Sequence, residues 1–181
     1  MNGSLSESAF AAIVEAGCPS CRAKKLTIEA LLVEKVPLLA GEVFGSPSWA
    51  YKGEDFVRGT YRIECHGCRT EIFSATTCPR CGAAGGLTRA LERLSDFHLP
   101  RACEHCGSEQ LTAKAFAPAR VVYEGKRADK PRPQAGPEEP GFHPFEAVCK
   151  VCERGIETKD PCPVCGGDSS LTTTSSVPQP R

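Results

Sequence analysis

Twelve cysteines in a chain of 181 residues, every one of them in a Cys-x-x-Cys pair, constrain this fold more than any other feature. The pairs are Cys18 with Cys21, Cys65 with Cys68, Cys78 with Cys81, Cys103 with Cys106, Cys149 with Cys152, and Cys162 with Cys165. The last three repeat the first three at an offset of 84 or 85 residues. In each set, 43 or 42 residues separate the first two pairs and nine separate the last two. Other residues repeat at the same offset: Leu26 and Thr27 with Leu111 and Thr112, Ala30 with Ala115, Ile72 with Ile156, Pro79 and Gly82 with Pro163 and Gly166. Self-similarity at one fixed offset means two copies of a single supersecondary unit.

Cysteine stabilises a fold through disulfides or through metal, and the surroundings of the chain decide between them. No secretory signal is evident, because residues 1–17 contain neither a basic residue nor a long apolar run. No stretch is long and apolar enough to span a bilayer. The expectation is therefore a cytoplasmic protein with reduced thiols and no membrane association, whose paired knuckles hold Zn(2+). Twelve thiolates satisfy about three tetrahedral sites. Leu, Ile, Val and Phe together supply only 36 of the 181 residues, close to the level at which chains fail to fold unaided. Structural zinc contributes roughly 10–16 kcal/mol per site, against a typical domain stability of about 5–15 kcal/mol. On these magnitudes the metal decides whether the chain folds.

The coarse pattern is mainly β. Strand-like alternation covers residues 26–36 and 111–122, and a return strand is expected over 56–64. A short helix is expected over 6–16, with Phe10, Ile13 and Val14 on its apolar face and Gly17 as its stop. A second, linking helix carries Leu87, Leu91, Leu94 and Phe97 at helical spacing, with its stripe packed between the copies. The Pro-rich loop 125–141 reads as extended and mobile, and the tail 172–181 as disordered.

The segments Tyr61 to Gly82, YRIECHGCRTEIFSATTCPRCG, and Phe145 to Gly166, FEAVCKVCERGIETKDPCPVCG, resemble the zinc-ribbon and rubredoxin-like families. Both end in the C-P-x-C-G knuckle. The resemblance covers about a quarter of the chain and implies a short hairpin around a four-cysteine zinc in each copy. The organisation expected is then an N-terminal extension (1–17), a zinc-ribbon-like repeat (18–86), a linking helix (87–102), a second repeat (103–171) and a tail (172–181).

Two pairings of the knuckles satisfy the ligand count. In the favoured one, each nine-residue hairpin closes its own site, and Cys18, Cys21, Cys103 and Cys106 share a third. In the other, Cys18 and Cys21 join Cys65 and Cys68, Cys103 and Cys106 join Cys149 and Cys152, and the two C-P-x-C-G knuckles meet between the copies. Closed four-thiolate sites leave no position for water or substrate, so no catalytic metal and no enzyme is expected. His66 and His105 lie inside knuckles and are expected to hydrogen-bond locally; His98 and His143 are scattered.

Basic and acidic residues balance at 22 each, so no net field draws the chain to nucleic acid. The function expected is a protein–protein interaction module with an unidentified protein partner. A nucleic-acid-binding zinc ribbon is the first alternative, and a thiol redox or metal carrier the second. Thiol redox enzymes use one Cys-x-x-Cys at a helix start within a βαβ unit, which six equivalent knuckles do not match.

Overall fold

Residues 5–44, 52–94, 99–124, 127–128, 132–133, 142–155 and 161–167 are described in this computed structural model. Two long strands, β1 (Lys25–Leu39) and β5 (Leu111–Glu124), pair antiparallel along their whole length. Leu32 of β1 lies opposite Ala117 of β5. These two residues are 85 apart, the offset that relates the two halves of the sequence, so a pseudo-twofold axis passes between them.

The outer strands obey the same relation. Strand β3 (Thr60–Cys65) lies against β1 with Leu26 opposite Cys65, and β8 (His143–Cys149) lies against β5 with Leu111 opposite Cys149. A bulge follows Glu29 in the first pairing and Lys114, its equivalent, in the second. Two-residue strands β2 (Glu42–Val43) and β6 (Arg127–Ala128) pair with the far ends of β1 and β5. Strand β4 (Glu71–Ser74) extends the sheet beyond β3, and β7 (Arg132–Pro133) pairs with the middle of β5. The result is a small, mainly β architecture built on one curled antiparallel sheet. No helix among the described residues is long and apolar enough to cross a membrane.

Helix α1 (Glu7–Ala16) starts where expected. The Ser6 hydroxyl accepts from the Ala9 N–H at 3.2 Å, and Gly17, at φ 75°, closes the other end with its N–H on the Ile13 carbonyl. Lys24 adds a cation at the C-terminal carbonyls of Glu15 and Ala16. The helix lays Phe10 on the sheet, edge-on to Tyr123 with ring centroids 5.5 Å apart.

The return strand expected from residue 56 begins only at Thr60, because 53–59 form helix α2 (Gly53–Gly59). Glu54 and Asp55 stand in its first turn, and the Asp55 carboxylate accepts from the Lys52 N–H at 3.3 Å. A helix turns both Phe56 and Val57 into the core, where a strand would send them to opposite faces. The helix ends at Gly59, where a Cβ would lie 2.7 Å from the Leu31 carbonyl oxygen.

Helix α3 (Gly86–Arg93) stands where the linking helix is expected, beginning one residue earlier, at Gly86, and ending at Arg93; Phe97, the end of its stripe, and His98 lie outside the described residues. Most of the loop 125–141 and the whole of 172–181 also lie outside them.

Two apolar clusters result. One packs Leu26, Ile28, Leu32, Ile63 and Leu111 under α1 and α2. The other joins Leu31, Phe116, Phe145, Leu87 and Ala90 to Cys78, Cys162 and Cys165. Ala30, Ala113, Ala115, Ala117, Ala119 and Ala147 are among the buried strand residues. Each buries far less than the roughly 1.5–3 kcal/mol worth of a Leu or Phe side chain, which keeps the core thin.

Candidate metal centres

All six knuckles form one turn. In each, the first cysteine's N–H donates to the carbonyl five residues on, as in Cys18 to Ala23 (2.9 Å) and Cys162 to Gly167 (2.9 Å). Its own carbonyl accepts from the residue four positions on, as in Arg22 to Cys18 (2.8 Å) and Gly166 to Cys162 (2.7 Å). That fourth residue always has positive φ. Gly82, Gly107 and Gly166 adopt it at 74°, 71° and 67°; Arg22, Arg69 and Glu153 adopt it at 59°, 63° and 57°. At Gly82 the glycine of the C-P-x-C-G motif is favoured by conformation and not by space, since a Cβ there would meet nothing within 4 Å.

The turns bring the twelve sulfurs into three groups of four, each with its sulfurs within 4.8 Å of one another: Cys18, Cys21, Cys65 and Cys68; Cys103, Cys106, Cys149 and Cys152; Cys78, Cys81, Cys162 and Cys165. This is the second of the two pairings, and the favoured one is corrected. The strands explain the outcome. Leu26 opposite Cys65 sets the first knuckle, which immediately precedes β1, beside the second. The chain then runs back along β3, with the Ala75 N–H on the Tyr61 carbonyl, so Cys78 is delivered to the opposite end of that strand from Cys65. At about 3.3 Å per residue, that separates the second and third knuckles by more than 10 Å. The two C-P-x-C-G knuckles meet instead across the pseudo-twofold axis.

The spacing fits a tetrahedral metal. Sγ atoms lie 3.6 Å apart for Cys18 and Cys68, 3.5 Å for Cys21 and Cys65, 3.6 Å for Cys81 and Cys165, 3.6 Å for Cys103 and Cys152, and 3.5 Å for Cys106 and Cys149. A tetrahedron with metal–sulfur bonds of about 2.3 Å has edges of about 3.8 Å. A disulfide requires about 2.05 Å, and all twelve cysteines are free.

The thiols divide within each group. The Thr70 hydroxyl, 3.1 Å from Cys68 Sγ, heads the hydrogen bonds that pull that thiol down to about 6. The Cys152 N–H does the same for Cys149, also to about 6. Burial opposes ionisation of Cys162, yet the N–H groups of Cys165 and Val164 hold it at about 7. Burial pushes Cys78 up to about 12. At Cys21 and Cys106 the N–H groups of Ala23 and Ser108 favour the thiolate, but the adjoining sulfurs outweigh them and push both thiols up to about 12. Four sulfurs this close cannot all be anionic without a cation among them.

The surroundings differ between sites. Cys21, Cys68 and Cys106 are exposed, whereas three of the four cysteines of the shared group are buried. Helix α3 begins against this group: a Cβ on Gly86 would lie 2.6 Å from Cys78 Cβ and 3.3 Å from Cys165 Sγ. His66 stays local, its Nδ1 3.0 Å from the Thr27 hydroxyl, and His105 lies 3.6 Å from the Glu104 carboxylate. His143 begins β8.

Between the sites, the sheet carries buried carboxylates that the sequence reading missed. Glu29, 4% exposed, lies 2.6 Å from Arg62 Nε, an ion pair without an aligned N–H, and 2.8 Å from Arg120. The equivalent of this pair in the second half is reversed in sign: Lys114 and Glu146, 3.4 Å apart, with Arg80 3.4 Å from the same carboxylate. The offset that reveals the repeat also reveals this reversal, once strand register is known.

Compared with family models, characterised proteins and solved structures, the chain gives no significant match in any of the three.

Proposed function

We propose that this chain is a non-enzymatic zinc protein of two tandem zinc-ribbon-like repeats, acting in a reducing compartment as an interaction module for a protein partner. The observation that carries the reading is the set of three four-sulfur groups, each on two identical turns at tetrahedral spacing. Zinc at these positions supplies charge neutralisation for crowded thiolates and a covalent-strength cross-link, and four sulfurs leave no open coordination position for catalysis. The chain's own residues do the rest. The six turns hold the sulfurs, N–H groups of the turns stabilise thiolates, and the shared group ties the two halves together.

Partner binding is favoured over catalysis by the closed sites, and over nucleic-acid binding by the balanced charge. The test is reconstitution of the reduced chain with zinc, followed by binding assays at graded salt. Three zinc ions with a cooperative melt that chelation abolishes support the reading. Submicromolar, salt-sensitive binding to an oligonucleotide overturns the interaction-module assignment in favour of a nucleic-acid-binding zinc ribbon.

A further inference from the structure

The three sulfur groups share one geometry and differ in their surroundings. Two cysteines of the first group, Cys21 and Cys68, are exposed; in the third group only Cys106 is, and in the shared group none is. The shell around a metal centre controls what reaches it from solvent. The first group is therefore the most open of the three, and the group of Cys78, Cys81, Cys162 and Cys165 the least.

The turns rank the groups in the same order. Their fourth residue has positive φ throughout, a conformation that glycine adopts without strain and other residues do not. Both turns of the first group place arginine there, Arg22 at 59° and Arg69 at 63°. The third group has one strained turn, at Glu153, and one relaxed turn, at Gly107. Both turns of the shared group have glycine, Gly82 and Gly166. Strain in a closed turn is relieved when the turn opens, so it favours opening at Cys18, Cys21, Cys65 and Cys68.

The shared group also has cations beside it. Arg89 and Arg93, one helical turn apart on α3, lie against the turn that carries Cys165. A Cβ on Gly166 would collide with Arg93 Nη1, and one on Gly167 would lie 3.4 Å from Arg89 Nη2 and 3.3 Å from Cys165 Sγ. Two successive glycines thus let both guanidinium groups close on the turn. Positive charge beside crowded thiolates favours keeping them ionised and bound. Of the two arginines in the first group's turns, Arg69 is already paired with Glu64 at 2.6 Å.

We propose that the first centre is an exchangeable zinc site that yields its ion to a thiolate-rich acceptor, while the shared centre keeps its own as the permanent link between the halves. The proposal goes beyond the interaction-module reading and rests on the assignment of the sulfur groups to zinc. The acceptor's thiolates approach from the side of the exposed Cys21 and Cys68 and take over the coordination that these two give up. Each freed cysteine thiolate takes a proton from solvent, so the exchange needs no oxidant or reductant. Cys18 and Cys65, both buried, are the last of the four to let go.

The test loads the full chain with zinc, adds apo-metallothionein as the thiolate-rich acceptor, and follows the zinc count on this chain by native mass spectrometry. A pulse of N-ethylmaleimide labels the freed cysteines, and peptide mapping locates them. The first ion lost is expected to free Cys18, Cys21, Cys65 and Cys68, and the last to free Cys78, Cys81, Cys162 and Cys165. Arg22→Gly combined with Arg69→Gly is expected to slow the first loss at least about tenfold, because both strained turns are relieved. Arg89→Gln combined with Arg93→Gln is expected to hasten loss from the shared group and leave the first loss unchanged. First loss from the third or the shared group, loss of all ions in one step, or an unchanged first loss in the Arg22→Gly, Arg69→Gly chain overturns the proposal. Any of these failures in a chain that starts with three zinc ions leaves the zinc reading intact.

Discussion

Gly86 and Gly53 are both the first residues of helices, and alanine at such a position ordinarily adds helix stability of up to about 1 kcal/mol. The structure predicts opposite outcomes for the two. At Gly53 a Cβ meets nothing within 4 Å, so Gly53→Ala is expected to be neutral or stabilising. At Gly86 it would lie 2.6 Å from Cys78 Cβ, an atom fixed to the knuckle backbone. Carbon atoms in contact sit roughly 3.5–4.0 Å apart, so α3 and the knuckle must separate by about 1 Å. Zinc–sulfur distances tolerate only about 0.2 Å. Overpacking of this kind costs about 1–3 kcal/mol, which outweighs the helix gain and leaves a net loss of up to about 2 kcal/mol. For a chain of this size that is roughly 4–8 °C in Tm. The assay is a thermal melt of zinc-loaded Gly86→Ala beside Gly53→Ala, with native mass spectrometry of both. Gly86→Ala should melt lower and release the zinc of Cys78, Cys81, Cys162 and Cys165 first. A Gly86→Ala protein as stable and as fully loaded as Gly53→Ala would refute the packing of α3 on the shared site.

Other expectations follow from the knuckles and the sheet. Arg22→Gly and Glu153→Gly should each raise Tm, since a non-glycine residue at positive φ costs about 1–3 kcal/mol; Arg69→Gly should gain less, because it loses the 2.6 Å contact of Arg69 with Glu64. Glu29→Gln, which leaves Arg62 and Arg120 without their buried carboxylate, should destabilise by about 1–3 kcal/mol in urea melts, whereas exposed Glu104→Gln should change little. Thiols held above their ordinary range, namely Cys21, Cys78, Cys81, Cys106 and Cys152, must lose protons when metal binds. Zinc affinity should therefore rise with pH from 6 to 8, and calorimetry in buffers of different ionisation enthalpy should register proton release; a pH-independent affinity would contradict this.

The cysteines that gather in fours, α1 and the two long strands were legible because they rest on local signals: cysteine spacing, the Ser6 cap, the Gly17 stop and period-two alternation. The pairing of knuckles was not. It depends on the antiparallel contact of β1 with β3 and of β1 with β5, and no local feature of Cys65 or Cys78 says which end of β3 each occupies. Helix α2 was missed because Phe56 and Val57 are equally at home in a strand, and what selects the helix is the capping contact of Asp55 and the close approach of Gly59 to β1. The positive φ at Gly82 and Gly166 could be read from glycine, but the same conformation at Arg22, Arg69 and Glu153 is imposed by the turn against residue preference. The sign reversal from Glu29 and Arg62 to Lys114 and Glu146 emerges only when register places them opposite each other.

The most direct test of the account is the zinc content of the double variant Cys78→Ser with Cys162→Ser, measured by native mass spectrometry beside the unmodified chain. If the two C-P-x-C-G knuckles share one site, both substitutions fall in it, and the count drops from three to two with Cys18, Cys21, Cys65, Cys68, Cys103, Cys106, Cys149 and Cys152 still loaded. If each hairpin closed its own site instead, the same two substitutions would strike two separate zinc ions. A fall from three to one would contradict the shared centre and the symmetry built around it.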